Sequence, residues 1–128
     1  MTRFVIDAFA WIEYFDGSER GLKAKNIIEN KENDIYTSYV TFAEVVSKFL
    51  RKGSDTEGMI LAVSALSKIP EINKFTSIQA GSIHAEMKKK TKDFGLADAF
   101  VIAAARDIDA KILTGDPHFK NIKEAMMI

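Results

Sequence analysis

The chain has 128 residues, of which 47% are hydrophobic and 28% charged, so it is long enough to bury one core and has an ordinary globular composition. It contains no cysteine, which excludes a disulfide framework, a thiolate metal site and a thiol nucleophile. Eighteen basic residues balance eighteen acidic ones, so no overall positive field indicates nucleic-acid binding. We therefore expect a single domain over residues 1–128, in which a nucleic-acid partner has to be argued from a local site.

The N-terminal segment MTRFVIDAFAWIEYF contains Asp7 and Glu13 inside an otherwise apolar stretch. Such charges argue against a signal peptide and against a membrane span. We therefore expect a cytoplasmic protein without a membrane partner.

Short strands and longer helices alternate in the first half of the chain. In chain order, the pattern predicts strand 4–7, helix 8–15, helix 19–31, strand 34–38 and helix 40–52. FVID is an apolar run that ends in an acid, which is typical of a buried strand. The polar helix over 19–31 is expected to turn Leu22, Ile27 and Ile28 inward. Gly53 is expected to end the helix over 40–52.

The second half continues the alternation. In chain order, it is predicted to contain helix 55–69, a weak strand 71–75, helix 76–90, helix 95–107, strand 110–114, a turn at 115–117 and an edge strand 125–128. Asp55 is the expected cap of the first of these helices, and Pro70 is expected to stop it. This order of elements favours right-handed βαβ units, and so a parallel sheet covered by helices on both faces.

Four acids are expected to meet at one edge of that sheet. Asp7 ends the first strand, Glu44 lies early in the helix after the second, and Asp116 follows the strand 110–114. Asp98 lies near the start of a helix that runs antiparallel to the next strand, so it belongs at the same edge. In open parallel sheets, sites form outside the carboxyl ends of the strands.

Each acid also has a local explanation that needs no shared site. Asp7 would cap the helix after it, and Thr41 with Glu44 fits the capping-box pattern T-x-x-E. Asp98 would favour the positive end of its own helix, and Asp116 before a proline is a good N-cap. Considered singly, these explanations are as good as a shared site. Taken together, the four local explanations are less convincing, because four carboxylates crowded at one edge repel one another.

A divalent cation would remove that repulsion. Carboxylates without a histidine or thiol alongside suit a hard ion, Mg²⁺ or Mn²⁺, better than zinc. Metal ions held by acids at a strand edge suit phosphodiester hydrolysis, because the ion makes a nucleophile from bound water and stabilises the leaving oxygen.

Four motifs in this order are similar to those of a known family. The runs FVIDAFAWIEYF, TFAEVVSKF, GLADAFVIAAA and ILTGDPHF resemble the PIN-domain family, and within it the VapC toxins of VapBC toxin–antitoxin pairs. The resemblance covers nearly the whole chain. It implies a three-layer α/β/α fold with a mainly parallel sheet, endoribonuclease activity dependent on Mg²⁺ or Mn²⁺, a homodimer, and a small VapB-like antitoxin partner.

The same resemblance implies roles for individual residues. It carries the metal-site role onto Asp7, Glu44, Asp98 and Asp116, and Thr114 matches the hydroxyl residue that commonly accompanies the last acid. The chain departs from the family after the first acid, where Ala8, Phe9 and Ala10 replace the usual serine or threonine. A hydroxyl beside the first acid is thus expected to be missing, which would loosen metal binding.

The remaining candidates are given structural roles. His84 is expected at the surface or in a dimer contact. His118 follows Asp116 closely, so contact with substrate is one alternative, but a structural or solvent-exposed role is favoured. The large apolar side chains exceed what a small core obviously needs. Most of them are expected to lie in the core, and some are expected to form a groove for an antitoxin segment. This set comprises Trp11, Tyr14, Phe15, Phe42, Phe49 and Leu50.

Two further functions stay open at this stage. A PIN-type nuclease that processes RNA without a toxin role would have the same sequence features. A non-catalytic α/β module that binds a protein partner would use the acids as helix caps only.

Overall fold

The computed structural model describes residues 1–128 and contains four strands and six helices. The strands are β1 (Thr2–Ile6), β2 (Asn33–Tyr36), β3 (Lys111–Thr114) and β4 (Ala125–Met127). The helices are α1 (Ala8–Asp16), α2 (Glu19–Ile28), α3 (Tyr39–Lys52), α4 (Thr56–Leu66), α5 (Lys74–Lys88) and α6 (Leu96–Asp107). A short 3₁₀ helix, Pro117–Phe119, follows β3. No helix combines the length and the apolar character that crossing a membrane requires.

The strands form one parallel sheet in the order β2-β1-β3-β4. At its centre Val5 pairs with Tyr36 on one side and with Ile112 on the other. The edge strand β4 pairs with β3 in parallel, so the edge strand predicted at 125–128 is present. The prediction of a mainly parallel sheet is therefore confirmed.

Alternate side chains of the sheet enter two separate cores. Phe4 and Ile6 of β1 point to a core built with α1 to α4, whereas Val5 points to a core built with α5 and α6. This alternation follows from the two-residue period of a strand. Because both faces of the sheet are covered, Phe4, Val5 and Ile6 are all apolar and buried. The three-layer α/β/α prediction is thus confirmed.

The aromatic side chains pack against one another beside the first core. Trp11 is fully buried, stacks on Phe15 and meets Tyr14 edge to face, and Phe15 meets Phe49 in the same way. Most of these aromatic side chains therefore pack against one another and do not line an open groove. Leu50 differs, because it is 64% exposed.

The predicted strand 71–75 was wrong. Asn73 accepts a hydrogen bond from the Thr76 N–H at 2.9 Å, and this cap starts α5 at Lys74. The extended pairing occurs earlier instead, at a single parallel bridge between Lys68 and Tyr36. Helix α4 correspondingly ends at Leu66, three residues before the predicted end.

The inward direction predicted for Leu22 was also wrong, since this side chain is 56% exposed. The buried face of α2 consists of Gly21, Ala24 and Ile28. A Cβ at Gly21 would lie 1.9 Å from the Glu13 carbonyl oxygen, so α2 approaches α1 too closely for a larger residue. Because α1 and α2 pack closely, small residues occupy most of the buried face of α2, and Leu22 lies outside that face.

A chain of hydrogen bonds joins α1, the end of β2 and α4. The Trp11 indole N–H donates to the Thr37 hydroxyl at 3.0 Å, and Thr37 donates to Ser67 at 2.8 Å. Ser67 in turn donates to the Val63 carbonyl. Trp11 and Thr37 are both fully buried, so every group in this chain depends on its neighbour for a partner.

Replacing Thr37 with valine should lower the free energy of unfolding by about 1–3 kcal/mol, because the indole N–H stays buried without an acceptor. Urea denaturation of both proteins measures the difference. Thr2→Val makes the same chemical change at an exposed strand residue and should cost less than about 0.5 kcal/mol. Equal losses in the two variants would contradict a structural role for the chain.

Candidate functional site

The four predicted acids lie at the carboxyl edge of the sheet. Asp7 follows the last residue of β1 directly, and Asp116 lies two residues beyond β3. Asp98 lies in the first turn of α6, and Glu44 in the second turn of α3. The charges of Asp7, Asp98 and Asp116 all act on Glu44, so the four carboxylates share one region. We call these four side chains the acid edge.

Thr114 links two members of the acid edge. Its hydroxyl donates to the Asp7 carboxylate at 2.8 Å and accepts the Asp116 backbone N–H at 3.0 Å. Both Thr114 and Asp7 are buried, with Asp7 only 3% exposed. The chain therefore gives Asp7 a hydroxyl partner from β3, although Ala8 stands where the related family has serine or threonine.

Phe9 packs against the turn that carries Asp116. A Cβ at Gly115 would lie 2.3 Å from Phe9 Cε1, so the ring packs directly on the glycine before Asp116. The guanidinium of Arg20 lies 5.6 Å from the centre of the same ring. Phe9 thereby supports the turn that carries Asp116.

Helix capping explains two of the four acids and fails for the other two. Asp98 accepts the Gly95 N–H at 3.4 Å, and Asp116 accepts the His118 N–H at 2.9 Å. Asp7 precedes α1 but its side chain makes no capping hydrogen bond. Helix α3 begins at Tyr39 with Ser38 as its cap, so Glu44 lies too far along the helix for a capping box.

Burial and repulsion make the acid edge costly to charge. Burial, together with the negative charges of Asp98 and Asp116, raises the pKa of Asp7 to about 6 in spite of the hydrogen bond from Thr114. Lost hydration and the charges of the other three acids raise the pKa of Glu44 to about 7. Burial is also the main reason why the pKa of Asp98 is raised.

No lysine or arginine forms an ion pair with the acid edge. The donor set is rich in carboxylate oxygens, and its negative charge has no basic side chain to balance it except that of His118. This combination fits a divalent cation, which would supply the missing charge.

His118 belongs to the site, which the sequence did not predict. Its Nδ1 lies 3.2 Å from Asp98 Oδ2 and 3.7 Å from Asp116 Oδ1, and its Nε2 lies 3.1 Å from Asp93 Oδ2. Ligand atoms of Asp98, Asp116 and His118 all lie within 4.8 Å of one another. The hydrogen bonds with Asp93 and Asp98 raise the pKa of His118. His118 is therefore partly buried beside the acids; a structural role fits these contacts, and a role in binding stays a prediction.

A sequence signal for His118 exists in DPH, residues 116–118. Proline at the first position of the 3₁₀ helix starts a tight turn that returns the second residue after Asp116 to the same edge. His84, by contrast, is half-buried, and its Nε2 lies 3.1 Å from the Phe94 carbonyl oxygen. Its contact is thus internal and does not reach the acid edge.

An open groove of about 440 Å³ joins the acid edge at Glu44. It runs between α1 and α3, where Ala8 and Ile12 face Val40. Lys48 and Arg51 also line it, so basic side chains lie next to the acids although the whole chain is neutral.

A family model for the PIN domain matches residues 4–125, almost the whole chain. The chain belongs to the PIN domain family. A sequence comparison with curated proteins gave no match.

Solved structures with the same fold as this PIN domain include several from toxin–antitoxin systems. A toxin–antitoxin complex from Klebsiella pneumoniae is 21% identical, with a TM-score of 0.74 over 96% of this chain and 95% of that one. DNA-bound VapBC from Salmonella typhimurium is 19% identical, with a TM-score of 0.72 over 100% and 98%. VapC20 of Mycobacterium tuberculosis, described as a sarcin–ricin loop cleaving toxin, is 15% identical, with a TM-score of 0.75 over 94% and 95%.

Replacing Asp7 with asparagine should stabilise the metal-free protein. At pH 8 in EDTA, the variant should exceed the wild type by about 1–3 kcal/mol, because the wild type holds a buried charge that the raised pKa shows to be unfavourable. The advantage should shrink from pH 8 to pH 5, since the native carboxyl takes up a proton near pH 6 and the unfolded one near pH 4. Urea denaturation at the two pH values measures it.

Asp16→Asn is the matched control, since this aspartate is exposed at the end of α1. Its effect should stay below about 0.5 kcal/mol at both pH values. A destabilised Asp7→Asn variant at pH 8 would contradict the account of a repulsive acid edge.

Proposed function

We propose that this PIN domain is a metal-dependent endoribonuclease that hydrolyses RNA phosphodiester bonds in the cytoplasm as the toxin of a type II toxin–antitoxin pair. The observation that carries the proposal is the acid edge itself. Four carboxylates meet at the carboxyl ends of parallel strands without a lysine or arginine partner. Such a site suits metal-assisted hydrolysis better than any chemistry that needs a protein nucleophile.

Asp7, Glu44, Asp98 and Asp116 would hold Mg²⁺ or Mn²⁺. The ion would lower the pKa of a bound water and stabilise negative charge on the phosphate. Thr114 would act by orienting Asp7 and by fixing the turn that carries Asp116. Lys48 and Arg51 lie in the groove that meets the acid edge and would contact RNA phosphates.

The toxin role is supported by the solved structures that share this fold. Several come from VapBC or related toxin–antitoxin complexes, and one is described as a sarcin–ricin loop cleaving toxin. The two other functions predict different outcomes in growth and cleavage assays. An RNA-processing nuclease would cleave RNA without arresting growth, and a non-catalytic module would neither bind metal nor cleave.

The Asp98→Asn variant should lose RNA cleavage by more than about 100-fold, which exceeds the effect of changing residues that only support a metal ligand. A fluorogenic RNA assay with Mg²⁺, Mn²⁺ or EDTA measures the rate. Wild-type cleavage should require the metal, and Asp98→Asn should keep its circular dichroism spectrum and its cooperative unfolding.

Glu86→Gln removes an exposed carboxylate from α5 and is the control for a general charge effect. It should cleave RNA at the wild-type rate. Normal cleavage by Asp98→Asn would contradict the site assignment. Induced expression should arrest growth, and co-expression of a VapB-like antitoxin should restore it. Unaffected growth despite measurable cleavage would favour the RNA-processing role.

We further propose that the chain forms a homodimer through the outer face of α5. Phe75 and Ile78 are 60% and 59% exposed and lie one turn apart on this helix, so they form a small apolar patch. Joining two copies through a two-fold axis would bury both pairs.

Phe75→Glu combined with Ile78→Glu should convert the dimer to a monomer, because it places charges in the proposed interface. Light scattering should give about twice the chain mass of 14.3 kDa for the wild type and the single mass for the variant. Leu50→Glu, at an equally exposed position on α3, should leave the dimer intact. A monomeric wild type would contradict the proposal.

A further inference from the structure

The surroundings of His118 determine which of its ring nitrogens carries a proton. Nε2 lies 3.1 Å from a carboxylate oxygen of Asp93, which can only accept a hydrogen bond while it is ionised. Nε2 therefore carries a hydrogen, and in a neutral ring the lone pair is on Nδ1.

Nδ1 faces two further oxygens. It lies 3.2 Å from Asp98 Oδ2 and 3.7 Å from Asp116 Oδ1, and these three atoms come from two different elements of the fold. Electron-rich atoms at such distances require positive charge between them. A proton on Nδ1 satisfies only one of the two oxygens, whereas a divalent ion would be shared by Asp98, Asp116 and His118, whose ligand atoms lie within 4.8 Å of one another.

The contact with Asp93 also matches what metal-binding histidines need. A histidine ligand commonly donates its other ring N–H to a carboxylate, which fixes the ring orientation and raises the basicity of the nitrogen that binds the metal. Asp93 is exposed and lies in the loop before α6, outside the acid edge. Its contact with Nε2 leaves Nδ1 directed at Asp98 and Asp116.

We propose that His118 Nδ1 is a metal ligand beside Asp98 and Asp116, with Asp93 as its orienting partner, and that the site binds Mn²⁺ in preference to Mg²⁺. The inference rests on the proposed metal-dependent function and specifies its ion. Imidazole suits first-row transition ions, whereas Mg²⁺ prefers an all-oxygen octahedron. Carboxylates alone suit both Mg²⁺ and Mn²⁺, and the nitrogen donor favours Mn²⁺.

Pulsed EPR of the Mn²⁺-loaded full chain tests the proposal. The chain has only two histidines, so ¹⁴N coupling typical of a bound imidazole has two candidate sources. The coupling should be present in the wild type, absent in His118→Asn and retained in His84→Asn. Asp93→Asn should retain the coupling, because it does not remove the ligand.

Calorimetry adds a readout that a merely structural histidine would not change. His118→Asn should weaken Mn²⁺ binding by about 10–100-fold and Mg²⁺ binding by less than about threefold. Asp93→Asn should weaken Mn²⁺ binding by up to about tenfold.

The outcomes separate this proposal from the proposed function. A wild-type Mn²⁺ spectrum without histidine coupling, in a protein whose RNA cleavage still needs Asp98, would overturn the role of His118 and leave the nuclease proposal intact. Absence of Mn²⁺ binding together with absence of cleavage would overturn both.

Discussion

The hydroxyl of Thr114 joins the ends of the two central strands where the acidic side chains meet. By donating to Asp7 and accepting from the Asp116 backbone, it fixes one acid after β1 relative to another after β3. The backbone N–H of Asp7 also donates to the Leu113 carbonyl at 3.0 Å, so the strand pairing continues into the site. The positions of Asp7 and Asp116 are thus tied to the two central strands of the parallel sheet.

This arrangement concentrates negative charge at the carboxyl edge of the sheet, where Asp7 is buried and Asp98 and Asp116 are partly buried. A parallel sheet directs its strand ends and the starts of its packed helices to the same edge, which brings Glu44 and Asp98 beside Asp7. The acids oppose folding without a counter-ion, since burial and repulsion disfavour their charged forms. Two apolar cores, one on each face of the sheet, provide the stability that offsets the free-energy cost of these charged carboxylates.

The sequence was sufficient for features that depend on chain order and periodicity. Alternation of strands and helices gave the parallel sheet, and the direction of each element gave the common edge of Asp7, Glu44, Asp98 and Asp116. Features that depend on local turns or on close packing were missed. His118 entered the site through a 3₁₀ turn, and Leu22 was displaced from the core because α2 approaches α1 at Gly21. A hydropathy pattern does not indicate how closely two helices approach or where a short turn places a side chain.

The central claim is that the acid edge is a cation site, and anomalous diffraction from crystals soaked in Mn²⁺ tests it most directly. An anomalous peak is expected at the carboxyl edge of the sheet, within ligand distance of Asp98 and Asp116, and it should be absent from Asp98→Asn crystals soaked in the same way. A fully soaked wild-type crystal with no peak at this edge, or with peaks only elsewhere on the surface, would contradict the account.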